Sequence, residues 1–303
     1  MIKALVFGQK GQLATCLAQI GKEHPDISLD FFGRSRCDIE NPSNLLEVIR
    51  AVRPNLVINA AAYTAVDQAE SDQEAARTIN QTAVRVMAEE TARQGIPIVH
   101  FSTDYVFDGT ATAPYCEDDD VSPLGVYGET KLAGELDMQQ ANPLHVIFRT
   151  SWVYSAYGKN FVKTMLNLMG SRAEIKVVND QTGCPTSAHD IAKVLLRMVP
   201  QIVDPDFKGF GTYHLVSDDP MTWWGFAKLV QSTGLEVFGP DWSGGRCEVL
   251  PITSEMYPTA AKRPGYSVLS TAKFQKTFGM QMPPVSESLA TVISELKKGY
   301  AHA

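Results

Sequence analysis

The sequence has no apolar run long enough to cross a membrane and no excess of positive charge. Its first apolar stretch, after Met1, Ile2 and Lys3, is about five residues long, short of a secretory leader's core and of the ~20 residues a spanning helix needs. The 27 Lys and Arg residues against 34 Asp and Glu give a formal net charge of -7. That balance speaks against general binding of nucleic acid or anionic membrane, because both need a concentrated positive surface. A basic pocket for one phosphorylated ligand remains compatible with it. Paired cysteines are also missing: Cys16, Cys37, Cys116, Cys184 and Cys247 are odd in number and scattered, with no spacing for zinc or a redox couple. A reducing compartment fits, and a soluble cytoplasmic protein is expected. The six histidines show no HExxH or other ligand spacing, so no metal site is expected. There is no internal repeat.

What the chain does have is alternation. Apolar runs at Ile2–Phe7, Ser28–Phe32, Asn55–Asn59, Ile96–Ser102 and His145–Thr150 are separated by amphipathic stretches at Gln12–Lys22, Ser43–Val52, Asp72–Arg93 and Gly125–Gln140. Strands apolar on both faces and joined by helices predict an α/β fold of Rossmann type, with a doubly wound parallel sheet covered on both sides. Ser43, behind Pro42, reads as the N-cap of its helix. At 303 residues the chain has room for a second, smaller part. Residues 1–155 are expected to form the dinucleotide-binding domain, and residues 156–303 mainly a C-terminal substrate-binding α/β part with helices near Asn160–Met169, Ala188–Val199, Trp223–Thr233 and Ser286–Lys297. Elements within about 187–216 are expected to return to the first domain. The acidic run Glu117–Asp120 reads as a solvated loop.

Gly8, Gly11, Gln12, Leu13 and Ala14 follow the first strand and open the first helix. Glycines there permit a sharp turn and close approach to a pyrophosphate, while the helix N-terminus supplies free N–H groups and positive potential. After the second strand Gly33 stands where an NAD-preferring protein often places an acid, and Arg34 can pair with a 2′-phosphate. NADPH is therefore expected over NADH, although two exposed arginines on a loop would read the same way. Asp38 and Ile39 are placed to meet an adenine, the first accepting from its amine and the second packing on its ring.

Thr103 ends the fourth strand, and in an open parallel sheet the carboxyl ends of strands form the ligand crevice. Downstream, Tyr127 and Lys131 are four residues apart, on one helix face. Reduction of a ketone requires a hydride and a proton, and a phenol of pKa about 10 is a poor donor near neutrality unless an ammonium stabilises its anion. Tyr127 is thus the expected proton donor, Lys131 its electrostatic partner, and Thr103 a hydrogen-bond donor to the developing oxyanion.

These residues resemble those of the extended short-chain dehydrogenases, and among them the dTDP-4-dehydrorhamnose reductases. The resemblance runs over nearly the whole chain, through Asn59 to Asp67, Ser102 to Gly109, Val126 to Glu135 and Phe148 to Tyr154. It implies NADPH-dependent reduction of the 4-keto group of dTDP-6-deoxy-L-lyxo-4-hexulose to dTDP-L-rhamnose, for surface polysaccharide. It further implies that Ala60, Ala61, Ala62, Tyr63, Thr64 and Ser102 line the cofactor, and that Lys131 also holds its ribose. Thr64, Val66, Asp104 and Trp152 match sugar-pocket positions; Gln181 and Arg263 fall in segments on the nucleotide side, Arg263 facing the diphosphate. From the residues alone, Asp104 reads equally as a turn cap, Trp152 as a core aromatic and Arg263 as a surface charge, while His189 and Asp190 read as a helix start. Some members of the family hold magnesium on glutamates at a dimer contact. Here Cys16 and His189 occupy two of those positions and Glu295 the third, a poor donor set for a hard cation, so no magnesium is expected, and the protein is a monomer or a homodimer.

Two other functions share parts of this pattern. A sugar-nucleotide dehydratase or epimerase has the glycine turn and the Tyr-Lys pair, but dehydratases follow the strand-four threonine with Asp-Glu, where this chain has Asp104-Tyr105. A non-catalytic regulatory subunit of the same fold would not need Tyr127, Lys131 and Thr103 together.

Overall fold

A computed structural model describes residues 1–300. The first half contains β1 (Ile2–Phe7), α1 (Gln12–Ile20), β2 (Ile27–Phe32), α2 (Pro42–Val52), β3 (Leu56–Asn59), α3 (Val66–Ala69), α4 (Gln73–Arg77), α5 (Ala83–Gln94), β4 (Ile98–Thr103), α6 (Val126–Ala141) and β5 (His145–Thr150). Then come β6 (Val153–Tyr154), α7 (Phe161–Ser171), β7 (Glu174–Val178), β8 (Thr182–Gly183), β9 (Thr186–Ser187), α8 (Ala188–Ile202) and β10 (Gly211–His214). The chain closes with β11 (Met221–Thr222), α9 (Trp223–Phe238), β12 (Glu248–Ile252), α10 (Ala272–Phe278) and α11 (Val285–Tyr300). Among the described residues no helix is long and apolar enough to cross a membrane.

Six strands pair in the order β10-β5-β4-β3-β1-β2, every neighbouring pair parallel. This is the doubly wound α/β architecture, and its centre is dry: Ala4 to Phe7, Leu56 to Ile58 and Val146 to Phe148 are all fully buried. One face packs on α1 and α8 through Leu17, Leu195 and Val199, the other on α2 and α5 through Leu45, Ile49 and Met87. The order reverses beside β1, so the carboxyl ends of β1, β3 and β4 open onto one crevice. A second apolar cluster of Leu166, Val177, Phe226 and Leu289 joins α7, α9 and α11 to a small sheet in which β7 and β12 run parallel.

Three local expectations are corrected. The helix at 42–52 is capped by Asn41, whose Oδ1 accepts from Ser43 N–H at 3.0 Å; Pro42 takes the first helical position, where its missing N–H costs nothing. The single helix expected at 72–93 is α4, a π-helical turn at 78–82 and α5. The cause is tertiary, because α6 crosses here so closely that a Cβ on Gly134 would lie 2.1 Å from the Asn80 carbonyl oxygen, and a π turn accommodates such an intrusion. Within the acidic run, Glu117 is tied to the sheet: its carboxylate accepts from His214 N–H at 2.9 Å, and its carbonyl accepts from Arg149.

Candidate active site

The crevice begins at β1. Gly8 has φ +115, and a Cβ there would come 3.1 Å from the Ala60 carbonyl, so the turn can pass β3 only without a side chain. Gly11 then caps α1 with no side-chain hydrogen bond and opens on empty space. The first-turn N–H groups of α1, at Gln12 and Leu13, therefore lie at an uncapped helix start of the kind that receives a phosphate. The Gln12 side chain does something else: it donates to Val153 O at 3.1 Å and accepts from Ser155 and Asn160 at 2.8 and 3.0 Å. It joins the two halves of the molecule and leaves only its backbone for a ligand.

The 59–64 segment is held by two amides. Asn59 Oδ1 accepts from Ala61 N–H at 3.1 Å, and Asn80 clamps the backbone of Tyr63 at 2.9 and 3.1 Å. Ala62 and Thr64 are exposed beside it, and Tyr63 donates to Asp72. Ser102, at the end of β4, is buried with an unpartnered hydroxyl. At the β2 edge, Arg34 is bonded by Glu40 and lies 3.9 Å from Asp38, while Ile39 packs against the core. An uncapped glycine helix start and an orphan hydroxyl fit a dinucleotide phosphate and ribose. Sequence reasoning did not foresee that Glu40 already engages Arg34, so a 2′-phosphate must compete with a carboxylate.

Across the crevice, Tyr127 lies in the first turn of α6. Gly125 provides no cap, and Glu70 instead accepts from Val126 N–H at 2.9 Å. The Tyr127 ring meets Tyr105 edge-on, with centroids 5.8 Å apart. Burial pushes its phenol up to about 12, Thr103 pulls it down by hydrogen bonding, and the Asp104 charge adds to the rise. Thr103 has one proton, for which the Tyr127 oxygen competes with Asp104 Oδ1 at 3.0 Å. To serve an oxyanion, as the sequence suggests, that hydroxyl must first swing away from Asp104. Burial lifts the Asp104 carboxyl to about 6, against hydrogen bonds from Ser267 and Thr103.

Lys131, one turn beyond Tyr127, is almost fully buried. Its Nζ donates to Phe101 O at 2.5 Å and lies 3.2 Å from His100 Nε2. Burial lowers it to about 8, with Glu135 opposing; Glu135 is itself paired with Arg149 at 2.8 Å, both buried. Neither Lys131 nor its charge is among the causes that shift Tyr127.

Val66, Glu70, Tyr105, Tyr127, Ala261 and Lys262 line one cleft. Arg263 does not point freely at it: its guanidinium donates to Asp67 at 2.8 Å, the same carboxylate accepts from Ala261 N–H, and its Nε is buried without a partner. Trp152 sits at φ 47 and stacks on Trp223. Gln181 lies in the turn before β8, next to Asp180, which accepts from Ser254 N–H. Glu70, Tyr105, Lys262, Asp67 and Trp223 were not singled out from the sequence; they arrive from segments far from Tyr127, and no local spacing marks them. Away from the crevice, Cys16, His189 and Glu295 line another pocket, where the Tyr157 hydroxyl donates to Glu295. Among the described residues no cluster of three His, Cys, Asp or Glu is arranged to hold a metal.

Comparison with known proteins places this geometry. Residues 2–298 match the family model described as the RmlD substrate binding domain. The chain is 41% identical to the dTDP-4-dehydrorhamnose reductase of Escherichia coli K12 and 40% identical to that of Sinorhizobium fredii, each alignment covering 96% of this chain and 97% of the relative. Among solved structures it resembles the dTDP-4-dehydrorhamnose reductase of Clostridium acetobutylicum, with TM-score 0.89 and 36% identity over 98% of this chain and 100% of that one. The Bacillus anthracis dTDP-4-dehydrorhamnose reductase in complex with NADP superimposes with TM-score 0.87 and 33% identity, over 97% and 99% of the two chains.

Proposed function

The chain belongs to the family of the RmlD substrate binding domain, and from that membership and its own site we propose that it is an NADPH-dependent reductase of dTDP-4-dehydro-L-rhamnose, giving dTDP-L-rhamnose. The observation that carries the reading is the Tyr127 phenol beside the Thr103 hydroxyl and one turn from Lys131, at the open carboxyl edge of a parallel sheet. Bound NADPH supplies the hydride. The chain's part is the proton, the orientation of the ketone and the exclusion of water.

Tyr127 holds that proton at its phenolic oxygen, and the apolar wall that raises its pKa keeps it in place until negative charge develops on the sugar oxygen. Thr103 steadies the same oxygen once its hydroxyl turns from Asp104. Val66 and Tyr105 line the cleft beside Tyr127, and Trp152, stacked on Trp223, would meet the sugar from the C-terminal side. Gly8, Gly11 and the Ala60–Ala62 segment would hold the cofactor, with Lys131 on its ribose and Arg34 on its 2′-phosphate after displacing Glu40. Asp38 and Ile39 would meet the adenine, and Gln181 and Arg263 the nucleotide of the substrate.

The site of action is the cytoplasm, a reading supported by five free cysteines and by a cofactor made there. The test is single-turnover product analysis by NMR with NADPH and the dTDP-4-keto-L-sugar. Rhamnose configuration at the reduced carbon supports the proposal; a talose product keeps the chemistry and changes the product, and absence of turnover with tight capture of a partner enzyme overturns it in favour of a regulatory subunit.

A further inference from the structure

His100 lies in β4 with no exposed surface, and its ring touches two polar atoms. Asn59 Nδ2 is 3.1 Å from Nδ1, and Lys131 Nζ is 3.2 Å from Nε2. A neutral imidazole has one N–H and one lone pair, so the two contacts must run in opposite senses. Asn59 decides which. The Ala61 N–H can only donate and sits 3.1 Å from Asn59 Oδ1, so the oxygen end of that amide faces Ala61 and the NH2 end faces His100. Nδ1 must then accept, and the ring proton is on Nε2, aimed at Lys131. An ammonium has three donors and no lone pair. A charged Lys131 would meet Nε2–H donor to donor, and an imidazolium would repeat that clash at both ends. A neutral amine satisfies every contact, accepting from Nε2–H while donating to Phe101 O at 2.5 Å.

We propose that Asn59 and His100 are a positioning pair that sets the charge of Lys131: in the cofactor-free enzyme they hold it as the neutral amine, and it becomes an ammonium when Asn59 turns its oxygen toward His100 Nδ1. The Nε2 proton then passes to Lys131 Nζ and one solvent proton is bound at Nδ1, a net uptake of one proton. Turning Asn59 releases the Ala61 N–H from its acceptor. Ala61 belongs to the segment along the cofactor crevice, so a ligand oxygen that takes this N–H frees Asn59 to turn. Cofactor binding and the charging of Lys131 are thereby one coupled event.

The other groups around Lys131 are consistent with an easily lost charge. Glu135 on its own helix is the anion that favours the ammonium, but Arg149 from β5 holds it. Tyr127 is neutral one turn earlier, Asp104 lies beyond the end of β4, and β4 otherwise contributes His100 and the Phe101 carbonyl. Burial alone brings Lys131 only to about 8, which leaves an ammonium at neutral pH, so it is the Nε2–H facing Nζ that must take it lower; burial also keeps His100 from protonating.

The inference rests on the proposed catalytic part of Lys131, yet its test does not depend on turnover. The full chain is labelled with 15N and 13C histidine, and the His100 ring is assigned by its loss in His100→Gln. Near neutral pH the free protein is expected to show the Nε2–H tautomer, and saturation with NADP+ the Nδ1–H tautomer. Nδ1–H or imidazolium in the free protein overturns the proposal, as does Nε2–H persisting in the saturated complex. In Asn59→Asp a carboxylate can only accept, so the free protein should already show Nδ1–H. The alkaline loss of kcat that follows deprotonation of Lys131 should then move up by about one pH unit, roughly tenfold more activity on that limb; an unmoved limb contradicts the pairing. If that variant does not fold, the tautomer of the unmodified chain still decides.

Discussion

Trp152 lies flat on Trp223, with ring centroids 3.4 Å apart and planes within 6°. Trp152 holds the left-handed backbone, φ 47, a conformation that costs a bulky residue about 1–3 kcal/mol and persists only where the surroundings enforce it. Two neighbours enforce it here: Trp223, at the start of α9, and Gly183, where a Cβ would come 2.6 Å from the Trp152 ring. The stack is thus the joint through which the C-terminal part reaches the end of β5.

That joint gives a direct test of the sugar-side wall. Gly183→Ala forces the indole off its seat, and KM for the keto-sugar nucleotide is expected to rise about tenfold, a loss near 1.4 kcal/mol of binding, with kcat and the KM for NADPH little changed. Steady-state kinetics with each substrate varied in turn reads the difference. An unchanged sugar KM removes Trp152 from the pocket.

Asp104 carries the second prediction. Burial raises its carboxyl to about 6, above the ordinary value, so the folded state binds the extra proton and stability falls as pH rises through that point. Asp104→Asn removes the buried charge. Its stability at neutral pH should exceed that of the unmodified chain by up to about 3 kcal/mol, and the gap should close as pH falls below about 6. In the same variant no anion claims the Thr103 proton, so kcat/KM should lose any inflection with midpoint about 6 that the unmodified enzyme shows. Thermal melts and pH profiles across that range check both.

Glu90 is a structural counterpart with the opposite sign. It is buried, takes Arg93 at 2.6 Å, Arg50 at 2.9 Å and Gln94 at 2.6 Å, and these hold its carboxyl far below the usual range. A depressed carboxylate stabilises above its unfolded pKa of about 4.3 and loses that stabilisation as pH falls. Glu90→Gln is expected to cost about 2 kcal/mol at neutral pH, with catalysis unaffected, and the deficit should shrink in acid. Denaturant titration at two pH values measures it.

The central sheet was legible because β1, β3 and β5 are buried on both faces, which leaves continuous apolar runs in the sequence. The position of Lys131 one turn beyond Tyr127 on α6 was legible because a spacing of four fixes it. What the sequence concealed depends on approach between distant segments. The π turn at 78–82 follows from Gly134 pressing on Asn80, Glu70 caps α6 from the far side of the crevice, and Glu40 reaches back to Arg34. The sense of the hydrogen bonds around His100 likewise follows from Ala61 N–H, a backbone group that no motif records. Asn41 displaced Ser43 as a cap for a local reason: Pro42 already filled the first helical position.

The account turns on the phenol of Tyr127 delivering the proton to the sugar oxygen. NADPH oxidation with the dTDP-4-keto-L-sugar, followed by absorbance in Tyr127→Phe, measures this most directly, beside a binding titration showing that the variant still takes up NADPH. The account predicts a kcat lower by about 10²–10⁴-fold, the usual worth of a positioned proton donor. A variant that reduces the sugar at the original rate would contradict it.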